Sequence, residues 1–206
     1  VESANSLVDL TDSVIADNVA IDEGAGFFIS SNFAEVRLTR TDITGNDALD
    51  NGGGFYNLAN GGIVTMDTVL IDGNVSQTEH GGGFLNAGIL NGSNVTITNN
   101  AVGQDLLGAS MSTADLVGGG FYNNAGRLTL TDSVIDTNIA LGRGGGFYNA
   151  NGGIVEINAS DPGTLKSSIS GNSVSTQRNE GGGFWNGSAG STVRLNGVDV
   201  TNNESG

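Results

Sequence analysis

There is no cysteine among the 206 residues. Disulfide staples, cysteine-ligated zinc and thiol catalysis are therefore excluded together. Proline occurs once, at Pro162, which suits a chain of hydrogen-bonded strands, because each proline removes a ladder donor. Positive charge is also scarce: seven Lys and Arg stand against 22 Asp and Glu, a formal net charge of −15. Such a chain repels phosphate backbones and anionic headgroups, which argues against nucleic acid and membrane surfaces as partners. No apolar run approaches the roughly 18 residues of a membrane-spanning helix. No charged-then-apolar stretch opens the sequence, so any targeting segment is expected outside these residues. No cofactor is expected, and Ca2+ only as a loose counter-ion to the acidic surface.

Glycine, by contrast, is abundant, at 35 residues, more than twice the usual share of about 7%. It is not scattered as in a linker. The run GGGF recurs at 52–55, 81–84, 118–121, 144–147 and 181–184, with a weaker GAGF at 24–27. An aromatic or large residue follows each Phe, and then usually Asn. A second motif alternates with the first. Residues 10–18 read LTDSVIADN and 130–138 read LTDSVIDTN, and five further copies keep the frame. Its sixth position is Ile15, Ile43, Ile71, Ile97, Ile135, Ile169 or Val200, and its ninth is Asn18, Asn46, Asn74, Asn100, Asn138, Asn172 or Asn203. Pairs such as Val8/Leu10, Val36/Leu38 and Val155/Ile157 precede or open it, with polar residues between them. Alternation of this kind marks half-buried strands.

The repeat therefore predicts an all-β fold: a right-handed parallel β-helix of about seven rungs, each of roughly 26 to 38 residues. Each rung should hold three short strands: Gly-Phe-aromatic, Val-x-Leu, and Val/Ser-x-Ile. No hairpin turn offers a partner next along the chain, so each strand should pair with its own copy one rung later, about 4.8 Å away. Phe27, Phe55, Phe84, Phe121, Phe147 and Phe184 should form one interior column and the Ile series another. The Asn series should bond from rung to rung at a turn. The glycine triplets should supply a tight corner and leave room for the Phe column.

Laid out this way, the chain resembles the exported bacterial right-handed β-helix repeat proteins whose rungs read GGGIYN…GTLTLTNSTISGNSA. The matching stretches are GGGFYN at 144–149, NNAGRLTLTDSVIDTNIA at 123–140 and SSISGNSV at 167–174. It is similar, more loosely, to polymorphic outer-membrane-protein repeats and adhesin passenger domains. The resemblance runs from about residue 7 to residue 203, with Phe in place of the usual Ile after GGG. It implies a segment of a large surface-attached or secreted bacterial protein, located outside the cell. It is specific for fold and unspecific for function.

Chemistry is harder to find. A polysaccharide lyase would need a base near calcium-binding acids. The basic residues, Arg37, Arg40, Arg127, Arg143, Lys166, Arg178 and Arg194, are not expected to converge. A hydrolase would need paired carboxylates, and Asp42 and Asp72 on adjoining rungs are such a pair by chance. His80, the only His, sits beside Glu79 before a glycine triplet, where a solvated turn residue is expected. The residues after each Phe are Phe28, Tyr56, Leu85, Tyr122, Tyr148 and Trp185. Alternation sends them outward, and the aromatic ones form a candidate ligand-binding stripe for glycans or a neighbouring surface. The competing expectation is that they cover the solenoid edge or pack under a loop. Hydroxyl and acidic side chains flank the Ile column, but Val14, Leu70 and Val134 interrupt them, against an ice-binding face. Insertions at 101–117 and 159–180 are expected in loops. The leading expectation is a non-catalytic extracellular structural or adhesive solenoid segment. Its partners would be flanking repeats or further copies stacked end to end, because the first and last frames end in matching phase. The alternative is a polysaccharide-binding or polysaccharide-degrading β-helix.

Overall fold

A computed structural model describes residues 1, 5–58, 62–103, 116–161, 163, 166–175 and 180–206. The chain is a parallel β-helix. Three sheets of 11, 6 and 7 strands run along it, and every strand pairs in parallel with its counterpart one rung away. Registers are strict: Val8 faces Val36, Val36 faces Val64, Val64 faces Leu90, and Leu128 faces Val155. The buried core is one continuous body built from the Val, Leu, Ile and Phe columns.

The three strands of a rung are not divided as the repeat suggests. The Val-x-Leu and Val/Ser-x-Ile runs share one sheet, and in the second to fourth rungs they are a single ten-residue strand: Glu35–Thr44, Ile63–Asp72 and Ile89–Thr98. A left-handed residue, Arg40, Thr68 or Asn94, bends each of them midway, with φ of 46°, 57° and 54°. The third sheet is made instead of the two residues after each ladder Asn, such as Val19–Ala20, Val75–Ser76 and Ile139–Ala140. Strands of two residues have no period to read, so this sheet is invisible to an alternation argument.

The Phe column stacks as expected. Its ring centroids lie 4.7, 4.7, 5.0, 4.8 and 5.0 Å apart, with planes within 7° of parallel. In-register pairing forces this face-to-face arrangement, which isolated rings would offset. The Asn column is a ladder as well. From Asn18 to Asn203 each Nδ2 donates to the Oδ1 of the Asn one rung on, at 2.8–3.0 Å. From Asn46 onward it also donates backward to an Ile carbonyl, as Asn74 does to Ile43 at 2.9 Å. Each Oδ1 also accepts the backbone N–H of the preceding Asn, for example Asn46 to Asn74 at 3.0 Å. The ladder thus has a direction, with donors pointing along the chain.

The glycine triplets serve this ladder rather than the Phe column. The first glycine turns the corner in the left-handed region, with φ of +66° at Gly52. A side chain on the second, Gly53, would strike the carbonyls of Val75 and Gly82. On the third, Gly54, it would lie 3.2 Å from the Asn74 side chain. The room left vacant is therefore taken by the next rung's backbone and the Asn column.

Candidate functional site

The face that carries the aromatic stripe is built by the three-residue strands after each glycine triplet. In Phe55–Asn57, Phe55 joins the main core and Asn57 the amide ladder, while Tyr56 turns to the other face and a second cluster. Alternation thus gives the right face, but the stripe is not a row of exposed rings. Tyr56, Leu85 and Tyr122 are only 8%, 2% and 8% exposed. They form a second apolar cluster with Val117 and Ala150, against which Leu58, Ala87, Phe28 and Tyr148 also pack. The expectation that these side chains cover the solenoid wall describes the centre of the stripe. Only Phe28, Tyr148 and Trp185, toward its two ends, stay half-buried. Burial pushes the phenols of Tyr56 and Tyr122 up to about 12, because a phenolate would lose its water.

Around this cluster the turn residues before the glycine triplets stack in their own column. Backbone bridges join Val117 to Arg143 and Arg143 to Glu180. The His80 ring meets Tyr122 edge-on at 5.1 Å, and its Nδ1 accepts the Val117 N–H at 3.5 Å. Its Nε2 lies 3.7 Å from Glu79. His80 is therefore a half-buried packing residue, not a solvated one. Arg143 pairs with Glu180 and stands over the Trp185 ring at 5.6 Å, a cation–π contact. Gly187 makes room beneath Trp185 and Tyr148, whose Nε1 and hydroxyl would meet any side chain there.

No family model, curated protein or solved structure matches the chain. What the geometry establishes is the class: a parallel β-helix repeat protein with Asn and Phe ladders.

The basic residues are held in surface ion pairs. Arg37 bonds Glu35 at 2.7 Å and Arg40 bonds Asp12 at 2.6 Å. Two arginines do converge, against expectation: Arg127 and Arg194 grip the two oxygens of Glu156 at 2.8 and 3.0 Å. The register of neighbouring rungs brings them there. Lys166 lies 4.0 Å from Asp132, and Arg178 lies outside the described residues. The register sets Asp42 against Leu70 and Asp72 against Thr44, so the two acids lie diagonally on adjoining rungs and not directly opposite. Among the described residues no three His, Asp or Glu come together as metal ligands.

Sequence reasoning missed a second ladder. Asn57, Asn86, Asn123, Asn149 and Asn186 bond Nδ2 to Oδ1 at 2.8–2.9 Å. The signal was the Asn two residues after the Phe of each GGGF run, repeated five times. Of the 101–117 insertion, residues 104–115 lie outside the description. Its described end is tied down, with Leu116 buried against Val102, Ala140 and Leu141. Parts of the 159–180 insertion, 162, 164–165 and 176–179, are likewise outside it.

Proposed function

We propose that this chain is a non-catalytic structural and adhesive β-solenoid segment, carried on the outside of a bacterial cell by a longer exported protein. The observation behind this reading is where the polar groups are spent. Two Asn ladders run through the wall, and every described Lys and Arg is engaged by a carboxylate. The amides fasten one rung to the next, and so do most of the ion pairs, Arg37–Glu35 lying within one strand. The ladder's direction also sets what any partner rung must offer, an Oδ1 acceptor for each Nδ2 donor. Flanking repeats or a second copy fit that requirement.

The alternative, a polysaccharide-degrading β-helix, keeps one point in its favour: the half-buried Trp185, Tyr148 and Arg143 form a surface able to stack on sugar rings. One experiment separates the two. The purified chain is incubated with polygalacturonate, with and without calcium, while binding to a glycan array is measured in parallel. Binding to some glycans with no shortening of the polymer is expected. Release of oligosaccharides would overturn the structural reading in favour of the enzyme.

A further inference from the structure

We infer that the outer face of the long-strand sheet carries a contact groove for a neutral, extended glycan, centred over Gly92 and running along the rod axis. The inference rests on the adhesive part of the reading above and names its ligand class and site. A depression of about 210 Å³ opens on this face. One wall is the outward column Thr65, Asn91 and Thr129, on three successive rungs in register. The other is Ser93 and Thr131. Gly92 lies in the floor, where the neighbouring rungs carry Met66 and Leu130. The Leu130 and Val95 side chains have closed over the missing side chain, since a Cβ there would come within 2.8 and 2.9 Å of them. The core is thus sealed while the peptide at Gly92 stays accessible from outside.

Two features set this stretch apart from the rest of its column. First, the side chains of Thr65, Asn91 and Thr129 make no hydrogen bond among the described residues. Toward either end of the same column, Arg37 is held by Glu35 and Glu156 by two arginines. Free neutral donors and acceptors therefore occupy a gap between locked ion pairs. Second, Ile63 and Ile89 face outward side by side two residues earlier, and Ile89 is 38% exposed. An apolar strip beside a few convergent polar groups is the usual make-up of a small-molecule site. A sugar ring offers the complement: a C–H face for the isoleucines and hydroxyls for Thr and Asn.

Rung spacing sets the ligand's shape. Contact points about 4.8 Å apart over three rungs span about 10 Å, longer than one ring, so a polymer segment parallel to the axis fits best. The charge of −15, with the Asp67 carboxylate accepting a hydrogen bond from Ser93 in the groove wall at 3.1 Å, disfavours acidic sugars.

Heteronuclear NMR of the full 206-residue chain tests this, with cellohexaose and chitohexaose as neutral probes and oligogalacturonate as the acidic comparator. Saturable shifts are expected at the Asn91 side-chain amide and at the Thr65 and Thr129 methyls with a neutral probe, and none there with oligogalacturonate. Asn91→Ala with Thr129→Ala should weaken neutral-probe binding at least tenfold. The map on the parent chain decides the matter even if the double variant folds poorly. Groove signals unmoved by both neutral probes, or moved equally by oligogalacturonate, overturn the inference. So does a folded double variant that binds like the parent. Binding confined to Tyr148 and Trp185 would remove the groove and leave the adhesive reading intact, whereas polymer cleavage would remove that reading itself.

Discussion

Asn57 is where the second amide ladder runs out of partners. Its Nδ2 donates onward to Asn86 at 2.9 Å, but its buried Oδ1 receives nothing. The cause is one residue. The preceding rung places Ile29 opposite Asn57, and a side chain without N–H cannot complete the step. An orphaned buried acceptor costs about 1–3 kcal/mol. Ile29→Asn should restore the bond while forfeiting about 1.5–3 kcal/mol of apolar burial, so the two effects nearly cancel. Equilibrium denaturation should find this variant within about 2 kcal/mol of the parent. Ile43→Asn, equally buried but without a waiting acceptor, should lose about 3–6 kcal/mol. Equal losses in the two would refute the account. Asn74→Ala breaks the first ladder in mid-rod and should cost on the order of 1–3 kcal/mol; an unchanged melting temperature would count against the ladder as a source of stability. Both ladders were written in the sequence as Asn at fixed offsets. The first was legible because it closed a longer motif. The second was passed over because its Asn followed a more conspicuous aromatic pair.

At the scale of the element, the outward Tyr column joins packing to pH. The pleat tells which face a side chain takes, but not what covers it. Cover here comes from the next outward column, Leu58, Ala87 and Ala150, and from Val117, which no alternation rule contains. That is why the candidate stripe was legible as a face and not as a buried cluster. Burial raises the folded-state phenols of Tyr56 and Tyr122 to about 12, against about 10 in the unfolded chain. Between these values the folded state holds more protons, so stability falls as pH rises. The contribution is complete below about pH 10 and gone above about pH 12. Thermal denaturation across that window should show a steep alkaline loss, and Tyr56→Phe with Tyr122→Phe should flatten it. A slope unchanged in the double variant would assign the loss to other groups.

At the scale of the whole molecule, a rod of stacked rungs faces an electrostatic difficulty. In-register pairing sets like positions about 4.8 Å apart, inside the screening length of about 8 Å at physiological salt, and the net charge is −15. The sequence avoids the worst of it. Among the registered strand partners of the described residues, no two carboxylates face each other. Asp67 lies between Thr39 and Ser93, and Asp136 between Thr98 and Ser170. Thr98 is the most exposed to test, because its own two partners are Asp72 and Asp136. Thr98→Asp would stack three carboxylates on consecutive rungs. Each directly opposed like-charge contact costs roughly 0.2–1 kcal/mol, so at low salt this variant should be less stable than Thr98→Asn by on the order of 0.5–2 kcal/mol. The difference should shrink in about 1 M NaCl, where the screening length falls to about 3 Å. Calcium at matched ionic strength should narrow it further, because three stacked carboxylates offer oxygen ligands to a hard divalent ion. In the parent chain calcium and sodium at equal ionic strength should act alike, with the ion as a loose counter-charge only. Denaturation curves of the two variants in low salt, high salt and calcium measure all of this. If Thr98→Asp and Thr98→Asn are equally stable at low salt, the spacing of acids along the rungs is not what keeps so acidic a rod folded.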